Sequence, residues 1–140
     1  MKLIVLIVKN VFTTYQKYNC HFVPHFFNIC SFFFFSTQCF ANMQVIDNFL
    51  IDRTEVSIGQ FRKFIEATNY ITLAEQKGGG LVYNSGWEEM NGWVWFAPYG
   101  KPGRFDEPTV HVTFDEASAY CLWAGKRIPK DAEWKKAAFR

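Results

Sequence analysis

At 140 residues, with 49% hydrophobic side chains, the chain has the length and composition of a single globular domain. Its formal net charge of +2 is unevenly placed: residues 1–42 carry Lys2, Lys9 and Lys17 and no acidic residue, which leaves residues 43–140 at −1. The basic pI of about 8.3 is therefore a property of the N-terminal stretch, and it gives no support for nucleic-acid binding by the remainder.

Residues 26–35 form an almost wholly apolar run of ten, followed by Ser36, Thr37, Gln38, Cys39, Phe40 and Ala41. Its length suits the core of an export signal rather than the roughly 20 residues of a membrane span, and the small residues at Cys39 and Ala41 suit cleavage after Ala41. Cleavage there leaves an exported protein, secreted or periplasmic, with no stable membrane span. The alternative is a translation start at Met43, with a cytoplasmic product. Residues 1–42 are thus a signal or leader segment on the first reading and low-complexity sequence ahead of the true start on the second, and on both no residue before Met43 is expected in the fold.

Residues 45–51 read as a strand interrupted by Asp47 and Asn48. Ser57 followed three residues later by Gln60 is a capping box, and Val56 with Phe61 is placed as a hydrophobic staple. A helix is predicted from Ile58, with Ile58, Phe61, Phe64 and Ile65 as its buried stripe and Asn69 as a left-handed end. Four such side chains, at roughly 1.5–3 kcal/mol each, anchor this half of the chain. Between Leu73 and Asp106 the periodicity dissolves into a glycine-punctuated stretch rich in aromatics, with at most a brief strand at residues 92–96. It is predicted to be coil pinned by its tryptophans, with an aromatic ligand groove as the alternative.

Residues 108–140 carry the densest signals. Val110, Val112 and Phe114 alternate with Thr109, His111 and Thr113, the pattern of a strand with one apolar face and His111 pointing outward. Thr113 and Glu116 form a second capping box. The helix it opens presents Ala117, Tyr120, Cys121 and Ala124 on one stripe and ends near Gly125. Pro129 opens another helix, in which Trp134, Ala137 and Ala138 share a face while Asp131 pairs with Lys135 and Glu133 with Lys136.

The stretch EPTVHVTFDEASAYCLWAGKRIPKDAEW resembles the sulfatase-modifying factor family, the formylglycine-generating enzyme and its relatives, through Trp123, Gly125, Lys126, Arg127, Pro129, Glu133 and Trp134. FLIDRTEVSIGQFRKFIEATNYITLAE is similar to the family's first helix and the strand leading into it. One departure stands out: Lys130 replaces the usual Thr or Ser cap, so the last helix is expected to start one residue late, with Asp131 as its cap. The resemblance implies an α+β, C-type-lectin-like architecture of short helices, few strands and long coil. It implies an oxidoreductase in which two cysteines near the domain's C-terminal end hold copper(I) and engage a substrate cysteine in an unfolded sulfatase-type peptide, which oxygen converts to formylglycine. Thiolates are soft ligands that favour copper(I).

The chain's four cysteines do not supply that pair. Cys20, Cys30 and Cys39 fall in the leader, and only Cys121 remains, on the buried stripe of its helix with no cation beside it to lower its pKa. The family's matching cysteine is structural. His111 is a lone histidine of residues 43–140, and Lys126 with Arg127 reads as charge complementing a helix C-terminus, with an anion site as the alternative. No phosphate loop, catalytic triad or zinc cluster is present in the sequence. Residues 43–140 are accordingly expected to be the N-terminal portion of a truncated family domain, with no catalytic, cofactor-binding or metal residue of its own. Copper and calcium are expected only in a full-length domain. The expected function is that of an enzyme fragment, inactive alone; the alternative is a non-catalytic binding or accessory protein on the same scaffold.

Overall fold

The computed structural model describes residues 8–10 and 43–139, so the apolar run at 26–35, the cleavage position after Ala41, and Cys20, Cys30 and Cys39 lie outside the described residues. Strands β2 (Met43–Ile46) and β3 (Phe49–Asp52) form a hairpin with Ile46 paired to Phe49. Asp47 and Asn48 are therefore the turn of two strands and not an interruption within one. Asp47 adopts φ 48°, the left-handed backbone that a tight hairpin turn needs and that Asp tolerates. Strand β1 (Val8–Asn10) pairs antiparallel with the other edge of β3, giving the sheet order β1-β3-β2. The expectation that nothing before Met43 joins the fold is corrected at these three residues.

Helix α1 (Ile58–Thr68) is built as its capping signals dictate. The Ser57 hydroxyl accepts from Gln60 N at 3.2 Å, the Gln60 side chain accepts from Ser57 N at 2.9 Å, and Asn69 closes the helix at φ 53°. Its first amides are taken by a distant loop: Ile58 N–H donates to the Glu107 carbonyl at 2.8 Å and Gly59 N–H to the Phe105 carbonyl at 2.9 Å. Phe61 is the centre of the main core, with its ring 5.4 Å from Phe64, 5.4 Å from Trp95 and 5.6 Å from Tyr120. Ile65 packs on the edge of this cluster, half-buried.

The stretch expected to be coil holds regular structure. Helix α2 (Leu73–Lys77) starts in a third capping box, Thr72 with Glu75, and ends at Gly78 with φ 80°. Strands β4 (Gly79–Tyr83) and β5 (Trp87–Asn91) follow as an antiparallel hairpin. The brief strand expected at 92–96 is reduced to a single bridge, Val94 with Ala97. Trp95 does pin this segment to the core, at 3% exposure.

Helix α3 (Phe114–Trp123) carries the predicted box and stripe, with Ala117, Tyr120 and Cys121 buried and Gly125 left-handed at φ 67° just beyond it. The strand expected at 110–114 does not form. His111 turns the chain at φ 55°, and Phe114 enters the helix with its side chain exposed. Helix α4 (Asp131–Ala138) begins directly after Lys130, which occupies the cap position; Asp131 does not take that role and the helix is not late. Lys130 has no oxygen to offer, so only the reciprocal half of a box exists: Lys130 N–H donates to Glu133 at 2.8 Å. The pairs expected along α4 are also corrected. Glu133 faces Arg127 and Lys136 reaches Asp47, because partners from other elements outcompete neighbours on the helix. The described chain is thus α+β, with short helices and two small antiparallel sheets.

Candidate functional site

A cleft lies where α2, the β4–β5 hairpin and residues 110–113 converge, and its cavity volume is about 350 Å³. That is near the small end of the range for ligand cavities. Its construction starts from His111. The left-handed backbone there turns the imidazole inward, where Nε2–H donates to the Pro98 carbonyl at 3.1 Å and the ring lies edge-on to Trp93 at 5.6 Å. The ring packs so closely on β4 that a Cβ at position 80 would stand 2.5 Å from His111 Nδ1 and 2.7 Å from the Trp93 carbonyl, so only glycine fits. Trp93 then supports Tyr99 edge-on at 5.5 Å. Leu73 and Ala74 of α2, with Leu81 of β4, complete the apolar wall; Trp87 stands on the rim, and Lys77 and Glu89 are the charged residues of the lining.

Glu116 holds this arrangement together from beneath. Its carboxylate, 3% exposed, accepts from its own cap amide at Thr113 and from Leu73 N, each at 2.6 Å. One negative charge therefore sits at the positive ends of two helices, α2 and α3. The aromatic groove raised as an alternative in the sequence corresponds to a real cleft, but its walls come from α2 and residues 110–113 as well as from the tryptophans.

The other sequence candidates are not in it. Cys121 is 1% exposed and takes part in no disulfide among the described residues. Burial pushes its thiol up to about 11; the Lys126 ammonium pulls the other way and the Asp52 carboxylate pushes it further up. A cation does approach the cysteine, contrary to the sequence expectation, but it arrives already neutralised. Lys126 Nζ lies 2.8 and 3.0 Å from the two Asp52 oxygens, with both side chains less than a tenth exposed. Arg127 makes a bidentate pair with Glu133 at 2.7 and 2.6 Å, which holds the Glu133 carboxyl down at about 2. Lys126 and Arg127 are thus internal ties, neither a helix-end complement nor an anion site. Trp93 belongs to the aromatics of the groove alternative, whereas Lys77 and Glu89 have no motif that marks them in the sequence. The signal that could have found them is the Thr72–Glu75 box, which places a helix and its C-terminal Gly78 directly before β4.

Residues 33–140 match the sulfatase-modifying factor enzyme 1-like domain family. The chain belongs to this family. It is 40% identical over 112 residues to the formylglycine-generating enzyme of Thermomonospora curvata, covering 64% of this chain and 37% of that protein. It is 35% identical over 117 residues to the formylglycine-generating enzyme of Bos taurus, covering 68% and 31%. It is also 32% identical over 112 residues to the inactive C-alpha-formylglycine-generating enzyme 2 of Bos taurus, covering 64% and 37%. The chain spans about a third of the length of these relatives. For a sulfatase-modifying factor domain, Cys121 is a poor fit to the copper(I) thiolate site that the resemblance implies. Cys121 is a single, buried thiol that resists ionisation, and no group of three or more His, Cys, Asp or Glu side chains is gathered among the described residues. Nor is any helix among them long and apolar enough to cross a membrane.

Proposed function

We propose that residues 43–140 serve as the N-terminal scaffold of a C-type-lectin-like domain in a formylglycine-generating-type enzyme, and contribute no catalytic thiol to it. The observation that carries this reading is the state of Cys121. A metal ligand or nucleophile must be a thiolate, and a thiol sealed under α3 with its pKa raised to about 11 stays protonated at neutral pH. The whole protein's activity would be the copper- and oxygen-dependent oxidation of a cysteine to formylglycine in an unfolded sulfatase-type peptide, with the copper(I) thiolates supplied from outside this stretch. Export through the leader belongs to the same proposal.

The test is to incubate the chain with copper(I), oxygen and a Cys-x-Pro-x-Arg peptide and to weigh the peptide. Unchanged mass is expected; a mass loss matching aldehyde formation overturns the reading. For export, N-terminal sequencing of the processed protein should begin at Asn42, and a mature cytosolic chain beginning at Met43 refutes it. A second reading, a binding or accessory protein without chemistry, is supported by the open cleft and by the inactive relative. On this reading the peptide should change the chain's tryptophan fluorescence saturably, and fluorescence unchanged at high peptide concentration speaks against it.

A further inference from the structure

We propose that Val8–Asn10 is a detachable edge strand: while residues 1–42 are attached it covers the outer edge of β3, and cleavage after Ala41 uncovers that edge. The covering rests on sheet geometry alone, the uncovering on the export reading above. Strand β3 is central in the order β1-β3-β2, and β1 runs antiparallel to it in the register Val8 with Ile51, Lys9 with Leu50 and Asn10 with Phe49. The β2–β3 hairpin shows which backbone groups β1 satisfies. Ile46 and Phe49 flank its two-residue turn and so exchange both of their hydrogen bonds; by the alternation of an antiparallel ladder, Ile51 also faces β2, opposite Gln44. Leu50 therefore has its N–H and its C=O on the other edge, opposite Lys9.

Without β1 these two groups of Leu50 belong to an open sheet edge, beside the apolar cluster of Ile46, Phe49 and Ile51 on which Ala137 packs. Open edges are templates for pairing with other chains, and native sheets cover them. The cover here is slight. Strand β1 has three residues, and holding it in place closes the chain over residues 11–42, a loop whose entropy opposes the pairing. The covalent link supplies the effective concentration that keeps so short a strand docked. A cut after Ala41 removes that link, so β1 leaves and does not return. Because the pairing joins main chain to main chain, it depends on the backbone amide at position 9 and not on the lysine side chain.

Native-state amide hydrogen exchange on the full chain tests the strand. Lys9→Pro deletes the donor that faces the Leu50 carbonyl and should raise exchange at Leu50 roughly tenfold or more, with Phe49 and Ile51, which face β2, unchanged. Lys9→Ala keeps the donor and should behave as the parent. Cutting the folded parent with signal peptidase and removing the leader by gel filtration should bring Leu50 to the rate of the Lys9→Pro chain. A Leu50 amide as slow in Lys9→Pro as in the parent, an equal rise at Phe49, Leu50 and Ile51, or a Lys9→Ala chain that behaves as Lys9→Pro overturns the covering strand. A Leu50 amide that stays slow after the cut, whether the leader remains bound or a second copy takes its place, overturns the detachment. N-terminal sequencing separates failure of the export reading: a chain that the peptidase leaves whole refutes processing and the uncovering with it, while the Lys9→Pro comparison still decides the strand.

Discussion

Replacing Glu116 with alanine removes one carboxylate from two helix starts at once. Its hydrogen bonds to Thr113 N and Leu73 N, both 2.6 Å, are made by an ionised acceptor, and such bonds contribute about 1.5–3 kcal/mol each. Leu73 is 40% exposed, so water can reach its amide once the carboxylate is gone, which places the expected loss in the lower half of that range, at about 3–4 kcal/mol for the pair. Set against the 5–15 kcal/mol typical of a whole domain, this is a large fraction from one side chain. Glutamine keeps one acceptor oxygen but turns an NH₂ toward the second amide, so Glu116→Gln should lose about 2 kcal/mol. Urea unfolding followed by tryptophan fluorescence measures both, and amide hydrogen exchange at Leu73 reports the long-range bond by itself. A loss below about 1 kcal/mol for the alanine variant at unchanged m, or a Leu73 amide exchanging as in the parent, would show that the carboxylate does not bridge the two helices.

Three further outcomes follow from the same geometry. Lys126→Met leaves the Asp52 carboxylate buried without its cation and should cost about 3–5 kcal/mol, while Asp52→Leu with Lys126→Met together should cost less than Lys126→Met alone; a double-mutant cycle in urea reads both. Glu133 has its pKa lowered from 4.5 to about 2 by Arg127, so the stability it contributes is whole above about pH 4.5 and is lost as pH falls toward 2. The pair is partly exposed and screened, so Glu133→Gln should remove about 1 kcal/mol at neutral pH and flatten the acid limb of the stability profile. Cys121, raised from 9.0 to about 11, stays protonated in the fold while the unfolded thiol ionises, so stability should decline as pH rises above about 9, and Cys121→Ala should abolish that component. The same burial predicts that Cys121 is alkylated by iodoacetamide only after denaturant is added.

What was legible in the sequence is what a few consecutive residues decide. The Ser57–Gln60 and Thr113–Glu116 boxes, the left-handed Asn69 and Gly125, and the stripes of α1 and α3 all rest on contacts three or four residues apart. The Thr72–Glu75 box obeys the same grammar but opens a helix of five residues that buries only Ala74, too short to show a stripe. The hairpin β4–β5 hid for the opposite reason: its outer residues are exposed and its inner ones are glycines, so no apolar alternation marks it. Residues 110–114 misled because alternation is necessary for a strand and does not provide a partner. Without one, His111 was free to turn the chain and pack its ring on Gly80. The ties Lys126–Asp52 and Lys136–Asp47 span 74 and 89 positions, and no local pattern can announce such pairings.

The cleft stands at the meeting point of these two kinds of information. Its floor and flank are the first residues of α2 and the cap of α3, each placed by a box readable in a handful of residues. Their mutual position is set by one oxygen of Glu116, which reaches 43 positions back to Leu73. A residue needed locally to start its own helix has a second oxygen to spare, and the fold uses that spare acceptor to join two helix starts. The distance between Leu73 and Thr113 across the cleft therefore depends on a group that lines neither wall. A change at Glu116 should accordingly alter ligand access to the cleft as well as stability, whereas Gln60, whose box serves α1 alone, should affect stability only.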